Sequence, residues 1–189
     1  MKVGILGGTF DPIHNGHLAL IKAARKALGL QTVFVVPTYQ TPLKHRVLTP
    51  VRYRVAMARL ALRGLPWAKL SLDEVRRRRV SYTYQMLRRF RKRLGRGAEI
   101  YFVCGADLLR HLGRWRRPDE VRKLCRFAVA RRPGSRIRGL PSNAVVFAMK
   151  PAPVSSTEVR KKLGRGGAKG NPVPLAVRRY IRKHGLYSS

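Results

Sequence analysis

The sequence predicts the α/β fold class, as a Rossmann-like doubly wound parallel sheet with short C-terminal helices. Six short apolar runs have the length of buried strands, and segments with apolar residues at helical spacing lie between them. Strands that alternate with helices are joined by right-handed crossovers, which produce a parallel sheet covered on both faces. At 189 residues, the chain is long enough for one well-packed domain and too short for two large ones.

The predicted strands are short runs rich in valine, isoleucine, leucine and phenylalanine. They cover residues 3–6, 33–36, 70–72, 100–104, 127–130 and 145–148. In open parallel sheets, ligands bind at the carboxyl ends of the strands. We therefore expect the loops after four of these strands, at residues 7–12, 37–44, 105–107 and 132–134, to converge on one cleft.

Three long helices are predicted from the spacing of apolar residues. They cover residues 18–30, 51–62 and 83–94. In the second helix, Val55, Ala58 and Leu62 share one face, and Arg52 and Arg59 lie on the opposite face. We expect a single domain over residues 1–189, with a Rossmann-like core at 1–150 and a C-terminal helical segment at 151–189. The glycine-rich, basic residues 164–174 are expected to be a loop between two helices of that segment.

The stretch after the first strand carries the strongest functional signal. It reads Gly7-Gly8-Thr9-Phe10-Asp11-Pro12-Ile13-His14-Asn15-Gly16-His17. A strand that enters a glycine-rich turn and leaves as a helix presents unpaired N–H groups and the positive end of the helix dipole, which suit a phosphate. His14 and His17, three residues apart, can face the same anion. The alternatives are a tight turn with incidental histidines, or a His17 that caps or packs against the helix start.

A second candidate anion site lies near residue 155. Ser155 and Glu158 match a capping box, which is the structural interpretation. A capped helix start that also carries the hydroxyl groups of Ser156 and Thr157, with Arg160 in the second turn, is equally suited to an anion. Both interpretations are kept.

The composition is strongly basic. Lysine and arginine number 42 against 8 acids, for a formal net charge of +34. The excess fits codon drift, a supercharged surface or a nucleic-acid contact, and it predicts nonspecific nucleic-acid binding at low salt. No aromatic pattern interleaves the arginines, so specific recognition is not indicated. No run approaches the ~20 apolar residues that span a bilayer. Cys104 and Cys125 lack metal-ligand spacing and are expected to be buried free thiols of a cytoplasmic protein.

Three of the eight acids lie where motifs occur. Asp11, Asp107 and Glu158 all fall inside motif segments, which suggests local roles for them. Asp107 on its own reads as a helix N-cap as readily as a ligand contact. No carboxylate cluster is expected to hold a metal, so Mg²⁺ is expected to arrive with a nucleotide and keep water and phosphate ligands.

These motifs resemble the nucleotidyltransferase superfamily with a (T/H)xGH signature, and specifically the bacterial nicotinate-nucleotide adenylyltransferases. The resemblance rests first on residues 7–18 and continues in order to residue 187. The further matching segments are Ser81-Tyr82-Thr83, Gly105-Ala106-Asp107 with Trp115, Arg132-Pro133-Gly134, Ser155 to Arg160, Tyr180-Ile181 and Gly185-Leu186-Tyr187. The resemblance implies transfer of AMP from ATP to nicotinate mononucleotide, a step of NAD biosynthesis that yields nicotinate adenine dinucleotide and pyrophosphate.

The resemblance also implies an ATP site. His14, His17 and Arg160 are expected to be catalytic, with His17 nearest the α-phosphate. Ser156, Thr157 and Arg160 are expected to hold the β- and γ-phosphates, and the motif that contains Asp107 is expected to contact a ribose. The complete expected ATP-binding set is Gly8, Thr9, Phe10, His14, His17, Gly105, Asp107, Ser156, Thr157 and Arg160.

For the mononucleotide, the resemblance implies stacking of the nicotinate ring on Trp115. The nicotinate carboxylate is expected to meet backbone N–H groups near Thr83 and Arg116, and Arg132 is the candidate for the mononucleotide phosphate. Lys44 matches a loop lysine of the family. Its loop reads Thr-Pro-Leu-Lys-His where the family has Pro-Pro-His-Lys, which leaves the roles of Lys44 and of the following histidine open.

Two kinds of alternative function stay open at this point. A sister adenylyltransferase acting on nicotinamide mononucleotide or phosphopantetheine would carry similar motifs. From another class, the chain could be a basic nucleic-acid-binding protein on an inactive enzyme scaffold. A homo-oligomer is a further possibility on which the sequence is silent.

Overall fold

The computed structural model describes residues 1–42, 48–109, 112–131, 139–150, 154–164 and 172–188. Its centre is one sheet of six strands in the order β3-β2-β1-β4-β5-β6, and every neighbouring pair is parallel. The strands are β1 (Lys2–Gly8), β2 (Thr32–Pro37), β3 (Ala68–Leu70), β4 (Glu99–Gly105), β5 (Arg126–Arg131) and β6 (Ala144–Ala148). This confirms the predicted Rossmann-like, doubly wound parallel sheet.

Eight α-helices and one 3₁₀ turn connect or follow these strands in the described residues. They are α1 (Asn15–Leu28), α2 (Val51–Ala61), α3 (Asp73–Arg76), α4 (Thr83–Leu94), α5 (Ala106–Leu109), the 3₁₀ turn (Leu112–Arg114), α6 (Pro118–Leu124), α7 (Ser156–Gly164) and α8 (Leu175–Lys183). None of the helices in these residues is long and apolar enough to cross a membrane.

Both faces of the sheet are covered by buried apolar side chains. On one face, α1, α2, α7 and α8 contribute Ile21, Met57, Val159 and Val177. On the other face, α4 and α6 contribute Leu87, Phe90 and Val121. Such burial stabilises the fold by roughly 25 cal/mol per Å² of apolar surface removed from water, and it holds the strand ends rigidly enough to position a site.

The register of the sheet brings two loops together. Gly8 at the end of β1 lies opposite Pro37 at the end of β2, so both strands end at the same edge. The backbone N–H of Thr38 then donates to the carbonyl of Gly8 at 2.9 Å. The loops that follow β1 and β2 therefore start as neighbours, as the strand-end rule predicts.

Two element boundaries differ from the sequence prediction. The third strand ends at Leu70, and Leu72, predicted to be strand, is instead the N-cap of α3. Helix α1 begins at Asn15 and ends at Leu28, because Gly29 adopts a left-handed conformation with φ of +63° and stops the helix. The predicted helix over residues 83–94 is confirmed.

Candidate active site

Five of the sequence-predicted site residues line one cavity of about 520 Å³ at the carboxyl edge of the sheet. Gly8 and Thr9 come from the turn after β1, and Thr83 is the first residue of α4. Trp115 and Arg116 come from the segment between the 3₁₀ turn and α6. The structure thus brings residues expected at the ATP side and at the mononucleotide side to the same opening.

The turn after β1 is fixed by a buried aromatic side chain. Phe10 is 1% exposed and has a φ of +48°, a conformation that L side chains rarely adopt. Its ring meets the ring of His17 edge-on, with 5.1 Å between centroids. A left-handed residue persists only where packing holds it, so Phe10 ties the shape of the turn to the position of His17.

The two histidines lie together at the start of α1, as predicted. His14 is the N-cap residue with an extended backbone, and His17 lies in the first turn. Their rings stack with 3.6 Å between centroids and 28° between planes. Burial lowers the pKa of His14 from 6.5 to about 4, against an opposing contribution from Glu158. His14 is therefore neutral at pH 7 in the free protein.

The capping interpretation of His17 is confirmed, and it is compatible with a ligand role. The backbone N–H of His14 donates to Nδ1 of His17 at 3.2 Å. A neutral imidazole whose Nδ1 accepts a hydrogen bond carries its proton on Nε2. The cap thus selects the tautomer in which His17 is a donor, which is what a phosphate oxygen requires.

Helix α7 is docked onto the same turn by hydrogen bonds. The guanidinium of Arg160 donates to the carbonyl of Asp11 at 2.8 Å and to Oγ1 of Thr157 at 3.2 Å. The hydroxyl of Ser156 donates to the carbonyl of Pro12 at 3.2 Å. The hydroxyl groups and the guanidinium predicted to hold phosphates are therefore fixed to the loop that carries the histidines.

The predicted capping box at the start of α7 is confirmed. Both the backbone N–H and the hydroxyl of Ser155 donate to Oε2 of Glu158, at 2.9 and 2.8 Å, and the N–H of Glu158 donates back to the Ser155 hydroxyl at 3.2 Å. Glu158 therefore has a structural role, because these hydrogen bonds hold the first turn of α7, in which Ser156 and Thr157 lie.

Trp115 forms one wall of the cavity. Its ring meets Phe102 edge-on with 5.6 Å between centroids, which fixes the plane of the indole. Its Nε1 is buried and has no hydrogen-bond partner within the described residues. Next to it, the Arg116 guanidinium lies over the ring of Tyr82, 5.1 Å from the centroid. An oriented indole with an arginine beside it suits a planar anionic ring.

Asp107 lies inside a short helix and not at its cap. It is the second residue of α5, which begins at Ala106, so the N-cap alternative is wrong. Its side chain is exposed. The ribose contact for Asp107 and Gly105 stays a prediction. Lys44, the histidine after it and Arg132 lie outside the described residues.

Sequence reasoning missed two buried charged side chains at this edge. Arg54 is 1% exposed, and its guanidinium donates to the carbonyls of four loop residues: Thr9, Thr38, Tyr39 and Thr49. Arg54 comes three residues after Val51 and four before Ala58, so it lies on the apolar face of α2. This spacing was the sequence feature that could have predicted its burial. Glu74, which is 3% exposed, lines the cavity and pairs with Arg89. The sequence around Glu74, with Asp73 before it and a run of arginines shortly after it, gave no indication that this side chain is buried.

The role of Asp11 also became visible only in three dimensions. Its side chain is fully buried and accepts a hydrogen bond from the hydroxyl of Tyr187 at 2.7 Å and a longer one, 3.4 Å, from the N–H of Thr49. Burial of the Tyr187 side chain raises its own pKa, so the phenol keeps its proton and remains a hydrogen-bond donor. Asp11 is thus a structural acid that ties the turn to residues far along the chain.

The acids in the described residues are dispersed, and no group of three or more histidine, cysteine, aspartate or glutamate side chains there is arranged to hold a metal ion. Asp11 and Glu158 are engaged in the contacts described above, and Glu74 pairs with Arg89. The carboxylates of Asp11, Glu74 and Glu158 are therefore engaged in contacts within the protein.

A doubly wound parallel sheet with a two-histidine turn at a helix start defines a nucleotidyltransferase of the cytidylyltransferase-like class, whose family model matches residues 5–162. The chain is 35% identical over 198 aligned residues to a nicotinate-nucleotide adenylyltransferase of Dehalococcoides mccartyi, with 99% of this chain and 97% of that protein covered. It is 39% identical to the corresponding protein of a Roseiflexus species, covering 98% and 97%. The chain belongs to the nicotinate-nucleotide adenylyltransferase family.

The fold also matches a solved relative. The nicotinic acid mononucleotide adenylyltransferase of Plasmodium falciparum, in complex with NaAD, superposes with a TM-score of 0.75 at 22% identity, with 98% of this chain and 97% of that chain covered. At this identity the match supports the fold, and it agrees with the strand order and the two covered faces described above.

Proposed function

We propose that this protein transfers AMP from Mg-ATP to nicotinate mononucleotide, releasing pyrophosphate and forming nicotinate adenine dinucleotide for NAD biosynthesis. One observation carries this proposal. The turn that bears His14 and His17 also supplies Gly8 and Thr9 to the cavity walled by Trp115. A nucleotide bound at the helix start and a ring bound against the indole would therefore meet at the same turn.

The chemistry asks for positioning and charge stabilisation. A phosphate oxygen of the mononucleotide, already ionised at neutral pH, attacks the α-phosphorus of ATP in line, and pyrophosphate leaves. No strong base is needed, so catalysis depends on orienting the reactants and stabilising the charge that develops. His17, with its proton on Nε2, would donate to the α-phosphate.

His14 and Arg160 would act on the rest of the triphosphate. His14 is neutral in the free protein and would bind an anion by hydrogen bonding, while the nearby phosphate charge would raise its pKa again. Arg160 keeps a full charge at all physiological pH values. Thr157 would add a hydroxyl donor at the positive end of α7, and Ser156 would do so by exchanging its hydrogen bond to the Pro12 carbonyl for one to phosphate.

Mg²⁺ enters this proposal as part of the substrate Mg-ATP. The ion prefers phosphate and water oxygens and dehydrates reluctantly. The acids near the turn, Asp11 and Glu158, are already held in hydrogen bonds to Tyr187 and Ser155. The protein's part is therefore to bind the triphosphate that brings the ion.

The direct test measures pyrophosphate release with Mg-ATP and three acceptors in parallel. Nicotinate mononucleotide, nicotinamide mononucleotide and phosphopantetheine separate this function from the sister enzymes. Rapid turnover with the nicotinate compound supports the proposal, and turnover with neither pyridine compound refutes it. A preference for the amide would reassign the ring contacts around Trp115 and Arg116.

We also propose nonspecific nucleic-acid binding as a secondary property of the basic surface. The net charge of +34 and the exposed run from Arg76 to Arg79 support it. Anisotropy of a labelled oligonucleotide should show binding that weakens steeply as salt increases, and binding insensitive to salt would refute the electrostatic basis. A cytoplasmic location and a homo-oligomer stay predictions; the buried free thiols Cys104 and Cys125 fit the former.

A further inference from the structure

Arg54 joins the backbone of three loop segments around the cavity. Its Nη1 donates to the carbonyls of Thr9 at 2.7 Å and Thr38 at 2.8 Å. Its Nη2 donates to the carbonyl of Tyr39 at 2.9 Å, and its Nε donates to the carbonyl of Thr49 at 2.8 Å. Four short hydrogen bonds from one guanidinium, 1% exposed, make an unusually complete set of backbone contacts.

The guanidinium lies behind the wall of the cavity. Thr9 and Thr38 line the cavity, while their carbonyl oxygens bind Arg54. Arg54 is not itself a lining residue. The carbonyl oxygens, which are the negative ends of the peptide dipoles, face the charge of Arg54. The positive ends of these dipoles face away from it.

Peptide geometry fixes the direction of the N–H groups that follow these carbonyls. In a trans peptide the C=O and the following N–H point in opposite directions. The carbonyls of Thr9 and Thr38 point at Arg54, so the N–H groups of Phe10 and Tyr39 point away from it. Gln40, which follows Tyr39, is paired with Val80 in a parallel bridge. Hydrogen bonding to a cation also polarises these peptides and makes their N–H groups better donors.

We propose that Arg54 is a positioning residue of the transfer reaction. Through the carbonyls of Thr9 and Thr38, its guanidinium aims the N–H groups of Phe10 and Tyr39 so that they receive the anionic groups of the two substrates. Arginine is required because its planar fork reaches four acceptors, whereas a lysine ammonium has three donors on a flexible stem.

This inference rests on the proposed function for its assay, so wild-type turnover with nicotinate mononucleotide is established first. Absence of that turnover would refute the proposed function and leave the Arg54 hydrogen bonds unaffected. With turnover established, we expect Arg54→Ala to lose roughly 100-fold in kcat/KM, the scale for misplacing groups by about 1 Å. Guanidinium ion, added well below denaturing concentration, should restore part of that activity, and sodium chloride at equal ionic strength should not.

Matched variants separate positioning from stability. Met57→Ala, a fully buried residue on the same helix, should lower Tm while kcat/KM per folded molecule stays near wild type, with no response to guanidinium. Arg52→Lys, at an exposed arginine on α2, should leave kcat/KM unchanged. Arg54→Lys, which keeps the charge, should still lose at least about tenfold. Wild-type kcat/KM in folded Arg54→Lys or Arg54→Ala would overturn the proposal.

A measurement on the wild-type protein keeps the test independent of whether the variants fold. The backbone amide resonances of Phe10 and Tyr39 should shift when Mg-ATP and nicotinate mononucleotide are added together. The amide of Arg63, just after the far end of α2, should stay unchanged. If both loop amides are unaffected by saturating substrates, they do not receive the ligands and the role assigned to Arg54 is wrong.

Discussion

The guanidinium of Arg160 donates a hydrogen bond to the backbone carbonyl of Asp11, 2.8 Å away, across 149 positions of the sequence. This contact makes the turn after β1 and the start of α7 parts of one unit. The groups of the two segments that are predicted to bind phosphate are therefore held in a fixed position relative to each other. A substitution that shifts α7 is expected to change the turn that carries His14 and His17.

Replacing His17 tests the main catalytic assignment. We expect His17→Ala to reduce kcat by about 10²–10³, the scale for losing one group that stabilises the transition state. The rate would be measured at saturating Mg-ATP and nicotinate mononucleotide. His184→Ala, at an exposed histidine after α8, is the matched control and should leave kcat unchanged. A loss of less than about tenfold, well short of that scale, would remove His17 from the catalytic set.

Replacing Trp115 tests the ring pocket. Trp115→Ala should increase KM for the mononucleotide with little effect on KM for ATP, because the indole contacts only the nicotinate ring in the proposed complex. The two KM values would be determined in the same titration series. The control is Trp67→Ala, since Trp67 stacks with Arg25 away from the cavity. Equal increases in both KM values would contradict the stacking role.

The depressed pKa of His14 predicts how stability depends on pH. Between about 6.5 and about 4 the unfolded chain binds a proton at His14 that the folded protein does not. The free energy of unfolding should therefore fall as pH decreases through this window, by at most about 3 kcal/mol from this group.

Urea unfolding at several pH values would measure this contribution. The pH dependence in His14→Asn should be flatter than in the wild type over the same window. His184→Asn, at an exposed site, should leave it unchanged. Identical pH profiles for wild type and His14→Asn would show that His14 is not buried in its neutral form.

The capping box of α7 predicts a modest stability effect. Ser155→Ala removes the hydroxyl that accepts the N–H of Glu158, and it should destabilise the protein by about 1 kcal/mol. Ser142→Ala, at an exposed serine, should have little effect. Thermal unfolding of both variants compares them directly. An unchanged Tm for Ser155→Ala would indicate that the tertiary contacts of α7 alone hold its first turn.

The two cysteines are expected to be unreactive toward thiol reagents in the folded protein. Burial raises the pKa of both Cys104 and Cys125 to about 12, so both thiols stay protonated at pH 8. A thiol reagent such as Ellman's should label neither in the folded protein and both in denaturant. Rapid labelling of the native protein would show that β4 at Cys104 or the end of α6 at Cys125 opens to solvent.

The sequence was sufficient to predict the sheet. Apolar runs with flanking turns are local signals, so five of the six predicted strands overlap their observed positions closely. The strand-end rule also correctly predicted that the loops after β1 and β2 are neighbours. The capping box at Ser155 and Glu158 was predicted for the same reason, since its two partners are three residues apart.

The remaining site features depend on contacts that no local pattern contains. Nothing in the local sequence distinguished Arg54 from the other arginines of a basic chain. Three of its four acceptors, Thr9, Thr38 and Tyr39, lie 15 to 45 positions earlier. The partner of Asp11 is Tyr187, 176 positions later. The third strand was predicted to extend too far. Its last residue paired with β2 is Leu70, but the apolar Leu72 follows shortly after and was therefore predicted to be part of the strand.

The hydrogen bond between Tyr187 and Asp11 has a consequence for synthesis. Tyr187, whose hydroxyl binds that carboxylate, is made 176 residues after Asp11. Arg160, which binds the same residue's carbonyl, also comes late. During translation, the turn after β1 can therefore bind Thr49 and Arg54 long before it can bind Arg160 and Tyr187. The complete set of hydrogen bonds at this turn forms only after Tyr187 has been made.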